Sequence, residues 1–271
     1  MTKAAELAKM GEVLTNSQIG GRRNLIINGA MQVAQRGTST TGVTSGGYYG
    51  IDRFRLTTTA EQTETHAQVS DAPSGFTSSY KVTVTTADSS IDASDFAAIQ
   101  QKIEAQDLQH LKFGTSDAEK LTVSFYVKAS ATGTFAVGMT QDDADSGTSE
   151  ISQNYTISSA DTWEYKTLTF NGNTSDAIDN NNGSGLQLNF FYTAGSDLTS
   201  GTLNSYGDNA HRAIGHTANL VGTLNATFQI TGVQLEVGEQ ATPFEHRSFG
   251  DELALCQRYF QKYSDNGSNH G

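Results

Sequence analysis

The sequence predicts an all-β chain folded as a β-sandwich, with one short helix before it and one after it. Three observations point there. Gly, Ser, Thr, Asn and Asp are plentiful and only two prolines occur in 271 residues, which is the composition of short strands joined by many turns. Apolar and polar residues alternate with period two, most clearly over 121–128, where Leu121, Val123, Phe125 and Val127 share one face and Thr122, Ser124, Tyr126 and Lys128 the other. An apolar content of 36%, arranged in such runs, is too high and too patterned for a disordered chain.

Residues 1–23 are expected to be a helix and linker ahead of the sandwich. Over 2–13, Ala5, Leu7, Ala8 and Met10 make an apolar face. Isolated helices under roughly 12–15 residues seldom hold in water, so this one packs on its own domain, frays, or attaches the chain to a larger assembly. Glu6, Lys9 and Glu12 interrupt any continuous apolar core, so it does not read as a signal peptide. No stretch is long and apolar enough to span a membrane.

The sandwich is expected over 24–247. Leu25 and Ile27 open it and Asn28–Gly29 turn the chain; residues 36–50, rich in Gly, Thr and Ser, read as a long surface loop. Alternating runs then follow at 52–59, 80–86, 121–128, 135–139 and 186–192. Residues 96–111 are helical by propensity, but a strand over Ile99–Glu104 followed by a helical turn at Asp107–Leu111 suits a sandwich better. Two strands change phase. In 163–170, Trp163 and Tyr165 oppose Leu168 and Phe170, with Trp163 expected in the core. In 224–237, Phe228 and Ile230 oppose Val233, Leu235 and Val237, and Gly232 sits at the switch. A one-residue slip turns every side chain over, so a bulge at Gly232 is expected to restore the core face.

The closing helix is expected over 248–263, with 264–271 as a flexible tail. Ser248 and Asp251 resemble a capping box. Phe249, Leu253, Cys256, Phe260 and Tyr263 form one stripe, which serves equally to pack on the sandwich or to contact other copies. These five are the candidate trimer contacts.

The net charge of −12 argues against nucleic acid and anionic membranes as partners, and Arg22–Arg23 is the only adjacent basic pair. A single cysteine excludes an internal disulfide framework and a cysteine zinc site. No HExxH, P-loop, GxSxG or dinucleotide fingerprint occurs, so the chain is not expected to be an enzyme and no cofactor is assigned. His211 and His216 read as solvated loop histidines rather than a metal pair. The acidic run Asp142, Asp143, Asp145, Glu150 has Ala144 and Gln153 where a calcium loop needs ligands, so it reads as a solvated turn and no metal is assigned. Tyr48, Tyr49, Tyr155 and Tyr206, in or beside loops, are the candidate sugar contacts.

Residues 24–37 (NLIINGAMQVAQRG), with 121–139 (LTVSFYVKASATGTFAVGM) and 162–170 (TWEYKTLTF), resemble strands of carbohydrate-binding-module-like, galactose-binding-like jelly rolls. The ending ITGVQLEVGEQATPFEHRSFGDELALCQRYFQKY and the opening AAELAKMGEVLTNSQIGGRRNLIINGAM resemble tail-fibre and other virion proteins of bacteriophages. The resemblance implies a trimeric jelly roll made in a host cytoplasm, held on the virion (tail or capsid) through residues 1–23, and contacting a host-surface glycan without chemistry. It also implies a structural calcium ligand in the last strand; 230–235 reads ITGVQL, which has no such Asp. The alternatives are a carbohydrate-binding module acting as an adhesin and, third, a glycan depolymerase.

Overall fold

In a computed structural model, Lys3, residues 23–144 and residues 147–263 are described. The expected helix over 2–13 lies, apart from Lys3, outside them, as does the tail 264–271. The described residues form a jelly-roll β-sandwich of two antiparallel sheets, built from β1 (Ser39–Val43), β2 (Phe54–Thr58), β3 (Thr63–Val69), β4 (Ser79–Thr86), β5 (Phe96–Glu104), β6 (Leu121–Ala129), β7 (Gly133–Ala144), β8 (Gly147–Ile157), β9 (Glu164–Phe170), β10 (Ser184–Ala194) and β11 (Thr227–Val237). The six-stranded sheet has the order β1-β3-β4-β11-β6-β9 and the five-stranded sheet β2-β5-β10-β7-β8. Their facing sides share one core, to which Phe54, Tyr80, Phe125, Phe135, Phe170, Phe190 and Phe228 contribute almost fully buried rings.

The switch at Gly232 is a bulge. Pairing of β11 with β6 slips between Thr231 and Gln234, and Phe228, Ile230, Val233 and Leu235 all reach the core. Gly232 itself sits at φ 62°, which a β-branched residue adopts only with strain. Strand β9 behaves differently. It pairs with β6 without a slip, so its two phases are two faces: Phe170 enters the core, while Trp163 and Tyr165 stand on the outer side. The expectation of a core Trp163 is corrected.

Residues 96–111 are strand β5 followed by a 3-10 turn, Ala105–Leu111, as the sandwich requires. Three expectations change. The 36–50 loop contains β1; Asp142 and Asp143 lie on β7 and Glu150 on β8, which pair with Gln141 opposite Ser149; and 24–37 forms no strand. That opening segment is nevertheless buried. Its Leu25 amide donates to Leu235 and its Gly29 carbonyl accepts from Val233. Asn28 organises it, its side chain accepting from the Gln32 and Val33 amides and donating to the Val33 and Asp52 carbonyls.

A fully buried polar bridge joins the two sheets through the core. On β3, Glu64 and His66 point inward and are 0% exposed. Glu64 accepts from Tyr192 of β10 at 2.9 and 3.0 Å and contacts His66 Nε2 at 2.9 Å, while His66 Nδ1 meets the Tyr80 hydroxyl at 2.8 Å. Burial raises both tyrosine hydroxyls well above their ordinary pKa, which keeps Tyr192 a neutral donor to Glu64 and Tyr80 a neutral partner of His66.

Helix α1 runs from Phe249 to Gln257. Ser248 caps it, accepting from the Asp251 amide and donating to the Asp251 carboxylate at 2.6 Å. It ends earlier than expected because the following residues turn onto arginines: Tyr259 lies on Arg53 and Phe260 on Arg36. Leu253, Cys256 and Tyr259 pack on Ile27 and Val33 of the opening segment.

Candidate functional site

The long segment after β10 lies across the outer side of the five-stranded sheet. Ile214 donates its amide to Ser152 Oγ, and Asn154 donates to the Ile214 carbonyl. His216 is 5% exposed and clamps the segment down. Its Nδ1 accepts from the Ala136 amide at 3.1 Å and its Nε2 donates to the Ala218 carbonyl at 2.7 Å. The Arg212 carbonyl passes so close to Gly138 that a Cβ there would lie 2.4 Å from it. Half of this face is thereby covered, with Ala98, Ala136, Phe191 and Ala213 packed beneath.

The expectation of two solvated histidines is corrected for His216. An acceptor Nδ1 and a donor Nε2 require the neutral ring, and desolvation by burial lowers its pKa to about 4. The folded pKa lies below the unfolded value near 6.5, so this contribution is present above pH ~6.5 and is lost as pH falls toward 4. Stability measured by urea unfolding is expected to drop by about 3 kcal/mol across that window from this group, and the drop should vanish in His216→Gln.

The uncovered half holds a cleft of about 210 Å³. A chain of polar side chains crosses its floor from strand to strand. Gln100 donates to Gln187 at 2.5 Å and to Asn189 at 2.7 Å, and Asn189 donates to Thr140 at 3.3 Å. Thr140 donates to Glu150 at 2.6 Å, and Arg212 holds the other oxygen of Glu150 at 2.8 and 3.0 Å. Gln187 also donates to Asp142, which lies 3.7 Å from Lys102. Desolvation raises the pKa of Glu150 against the opposing pull of Arg212. The Gln100 Oε1 atom is buried without a partner. Amides and a hydroxyl in a fixed row suit the vicinal hydroxyls of a sugar. Both acids of the cleft are engaged by a cation or an amide.

A second surface lies on the opposite side of the molecule, outside the six-stranded sheet. Tyr165 and Tyr126 are paired across β9 and β6 with ring centres 5.0 Å apart; Phe76 follows at 5.5 Å, and Phe244 and His246 lie 5.0 and 5.4 Å beyond it. Trp163 extends the row, donating to Asp71 at 3.1 Å beneath Lys128. Tyr165 is 49% exposed. The row was missed because alternation alone does not say which face meets the partner sheet.

The four candidate tyrosines separate. Tyr155 is corrected: it is 6% exposed, and its ring lies between Phe125 and Phe135 in the core. Tyr206 lines an open groove of about 450 Å³ with Asn171, Asn173 and Asn204, but its ring packs edge-on against Phe113 and its buried hydroxyl has no partner. Tyr49 packs against His66. Tyr48 lies beside Arg36 and Arg55. Of the helix stripe, Cys256 is 1% exposed against its own sandwich and Phe260 is covered by Arg36, so neither is placed to meet another copy; Phe249 (55%) and Tyr263 (85%) are exposed. Among the described residues, no three His, Cys, Asp or Glu side chains gather as metal ligands, and no helix is long and apolar enough to cross a membrane.

No known protein family matches the chain, and no curated protein matches it. Solved structures give fold-level likenesses. The enzymatically active domain of bacteriophage CBA120 tailspike protein 4 matches at 15% identity and TM-score 0.44, over 79% of this chain and 21% of that one. The chain thus spans about a fifth of the tailspike's length. A sugar-binding protein, so described without proof, from Bacteroides thetaiotaomicron matches at 14% and TM-score 0.44, over 79% and 99%. A family 11 carbohydrate-binding module from Clostridium thermocellum, in complex with a mixed-linked tetrasaccharide, matches at 9% and TM-score 0.38, over 76% and 99%.

Proposed function

We propose that this chain is a non-enzymatic, glycan-binding virion protein, a tail or capsid fibre or spike that attaches to a host-surface glycan. The observation that carries the glycan reading is the amide row Gln187–Gln100–Asn189 on the floor of a surface cleft, with the Gln100 oxygen left free to accept from a ligand. Arg212 holds Glu150 and Lys102 lies beside Asp142, which supports binding over hydrolysis because neither is the free carboxylate that a glycosidase needs as nucleophile or base. The virion assignment rests on the sequence resemblance of the two terminal segments. Residues 1–23 would attach the chain to its particle, and Phe249 and Tyr263 are the stripe residues open to a trimer contact.

A glycan array followed by calorimetry on the best ligand tests this reading. Gln100→Ala or Asn189→Ala should each weaken binding about tenfold, the worth of one well-placed hydrogen bond. Product release from host capsule or lipopolysaccharide would favour the depolymerase. No glycan bound, or variants that bind unchanged, would remove the cleft. The aromatic row favours a second reading, in which a sugar stacks on Tyr165; in that case Tyr165→Ala weakens binding and the two amide variants do not. Light scattering of the intact chain tests the trimer, and a monomer overturns it.

A further inference from the structure

The 17 basic residues are scattered along the sequence, yet the fold gathers Arg36, Arg53, Arg55 and Arg258 around the rings of Tyr48, Tyr259 and Phe260. The carboxylates among them are occupied. Asp52 is held by Arg36 at 3.3 Å and by Gln35. Glu104 is held by Arg258 at 3.0 and 2.6 Å and by Gln106 at 2.5 Å. Glu252, one helical turn before Cys256, accepts from the Asn28 amide at 2.5 Å and lies 3.4 Å from Arg247.

Arg53 is left over. Among the described residues it has no carboxylate within ion-pair distance, although it is only 7% exposed. One terminal nitrogen donates to the Lys102 carbonyl, the Tyr259 ring lies 3.4 Å from Cζ, and Nε is buried without a partner. Its backbone is held at φ 72°. Desolvation lowers its pKa, so burial opposes the charge that the side chain carries. Two cavities reach the guanidinium: about 140 Å³ bounded by Arg36, Tyr48, Phe260 and the Arg36-paired Asp52, and about 180 Å³ bounded by Asn24, Gln101, Lys102 and His110, with Asp107 as the one carboxylate there that no arginine holds among the described residues.

A buried cation whose nearest carboxylate, Glu104, is bonded to Arg258 is costly, and a planar guanidinium with an unpartnered donor matches the oxygens of a carboxylate or sulfate. We infer that this arginine–aromatic pocket receives an oxyanion, and, resting on the glycan reading above, that the ligand is an acidic sugar carrying a carboxylate or sulfate. The local excess of arginine also explains how a chain of net charge −12 admits an anion: the attraction is confined to one pocket while the surrounding surface repels.

The test is a titration of the full chain at constant ionic strength in which chloride is replaced by sulfate or by acetate. The expected result is a saturable movement of the Arg53 Nε–H resonance and a rise in melting temperature, both lost in Arg53→Met. The resonance is read on the unaltered protein, so the test stands if the variant fails to fold. A response to sulfate and acetate no greater than to chloride overturns the site. D-glucuronate and glucose 6-sulfate are then compared with glucose. Binding of one charged sugar about tenfold tighter than glucose supports the inference and shows which oxyanion is read, whereas equal binding of all three overturns it. Binding of a neutral glycan that Gln100→Ala removes would leave the glycan reading standing while this inference falls.

Discussion

Replacing Glu64 by alanine is expected to lower the stability of the chain by about 4 kcal/mol, read as a fall in the urea midpoint at unchanged slope. The carboxylate serves His66 and Tyr192 at once, and every member of the network is fully buried. Without it, two polar groups on opposite sheets lose their partner where water does not reach, and a cavity replaces the side chain. Glu64→Gln keeps the volume and one acceptor, so about half that loss is expected. The double variant Glu64→Ala/His66→Ala should lose less than the sum of its parts, because the second change removes a group already orphaned by the first. A loss under about 1 kcal/mol for Glu64→Ala would show that the bridge does not hold the sheets together.

Gly232→Val is expected to cost about 3 kcal/mol and to disturb the aromatic row at the same time. Two effects combine. Valine is strained at φ 62°, and a Cβ at this position would lie 2.7 Å from the Phe76 ring and 3.1 Å from the Tyr126 ring. The bulge and the aromatic row therefore depend on the same missing side chain. Near-ultraviolet circular dichroism should report displaced Phe76 and Tyr126 together with the lowered melting point. Gly232→Ala should show the same signs at smaller size. A variant that keeps wild-type stability and an unchanged aromatic spectrum would contradict this geometry.

Local pattern explains what the sequence disclosed and what it concealed. The bulge was legible because a period-two pattern that slips by one residue needs a two-against-one pairing, and a glycine stood at the slip. Strand β3 was not legible because its inward positions carry Glu64 and His66, so it shows no apolar alternation. Strand β9 showed its two apolar phases, but a phase has no label saying which side meets the other sheet, and Trp163 fell on the outer one. The amide cleft and the arginine pocket assemble residues far apart in the chain, as Gln100 with Asn189 on two strands and Glu104 with Arg258 at the helix end illustrate. Only the strand order brings them together, and no spacing in the chain records it. The helix cap at Ser248 was legible because it is a contact across three residues.

The opening segment meets its partner late. Asn24 bonds to Val233 across a separation of 209 residues. At a synthesis rate of 5–20 residues per second, the ribosome takes roughly 10–40 s to make what lies between. During that interval Ile26 and Met31, buried in the finished core, have no strand β11 beside them, and Ile27 and Val33 have no helix α1 to cover them. A chain interrupted before residue 233 would keep those side chains uncovered and hand them to chaperones and proteases. The seam between the first and last parts of the sandwich therefore closes only after β11 and α1 have both been made.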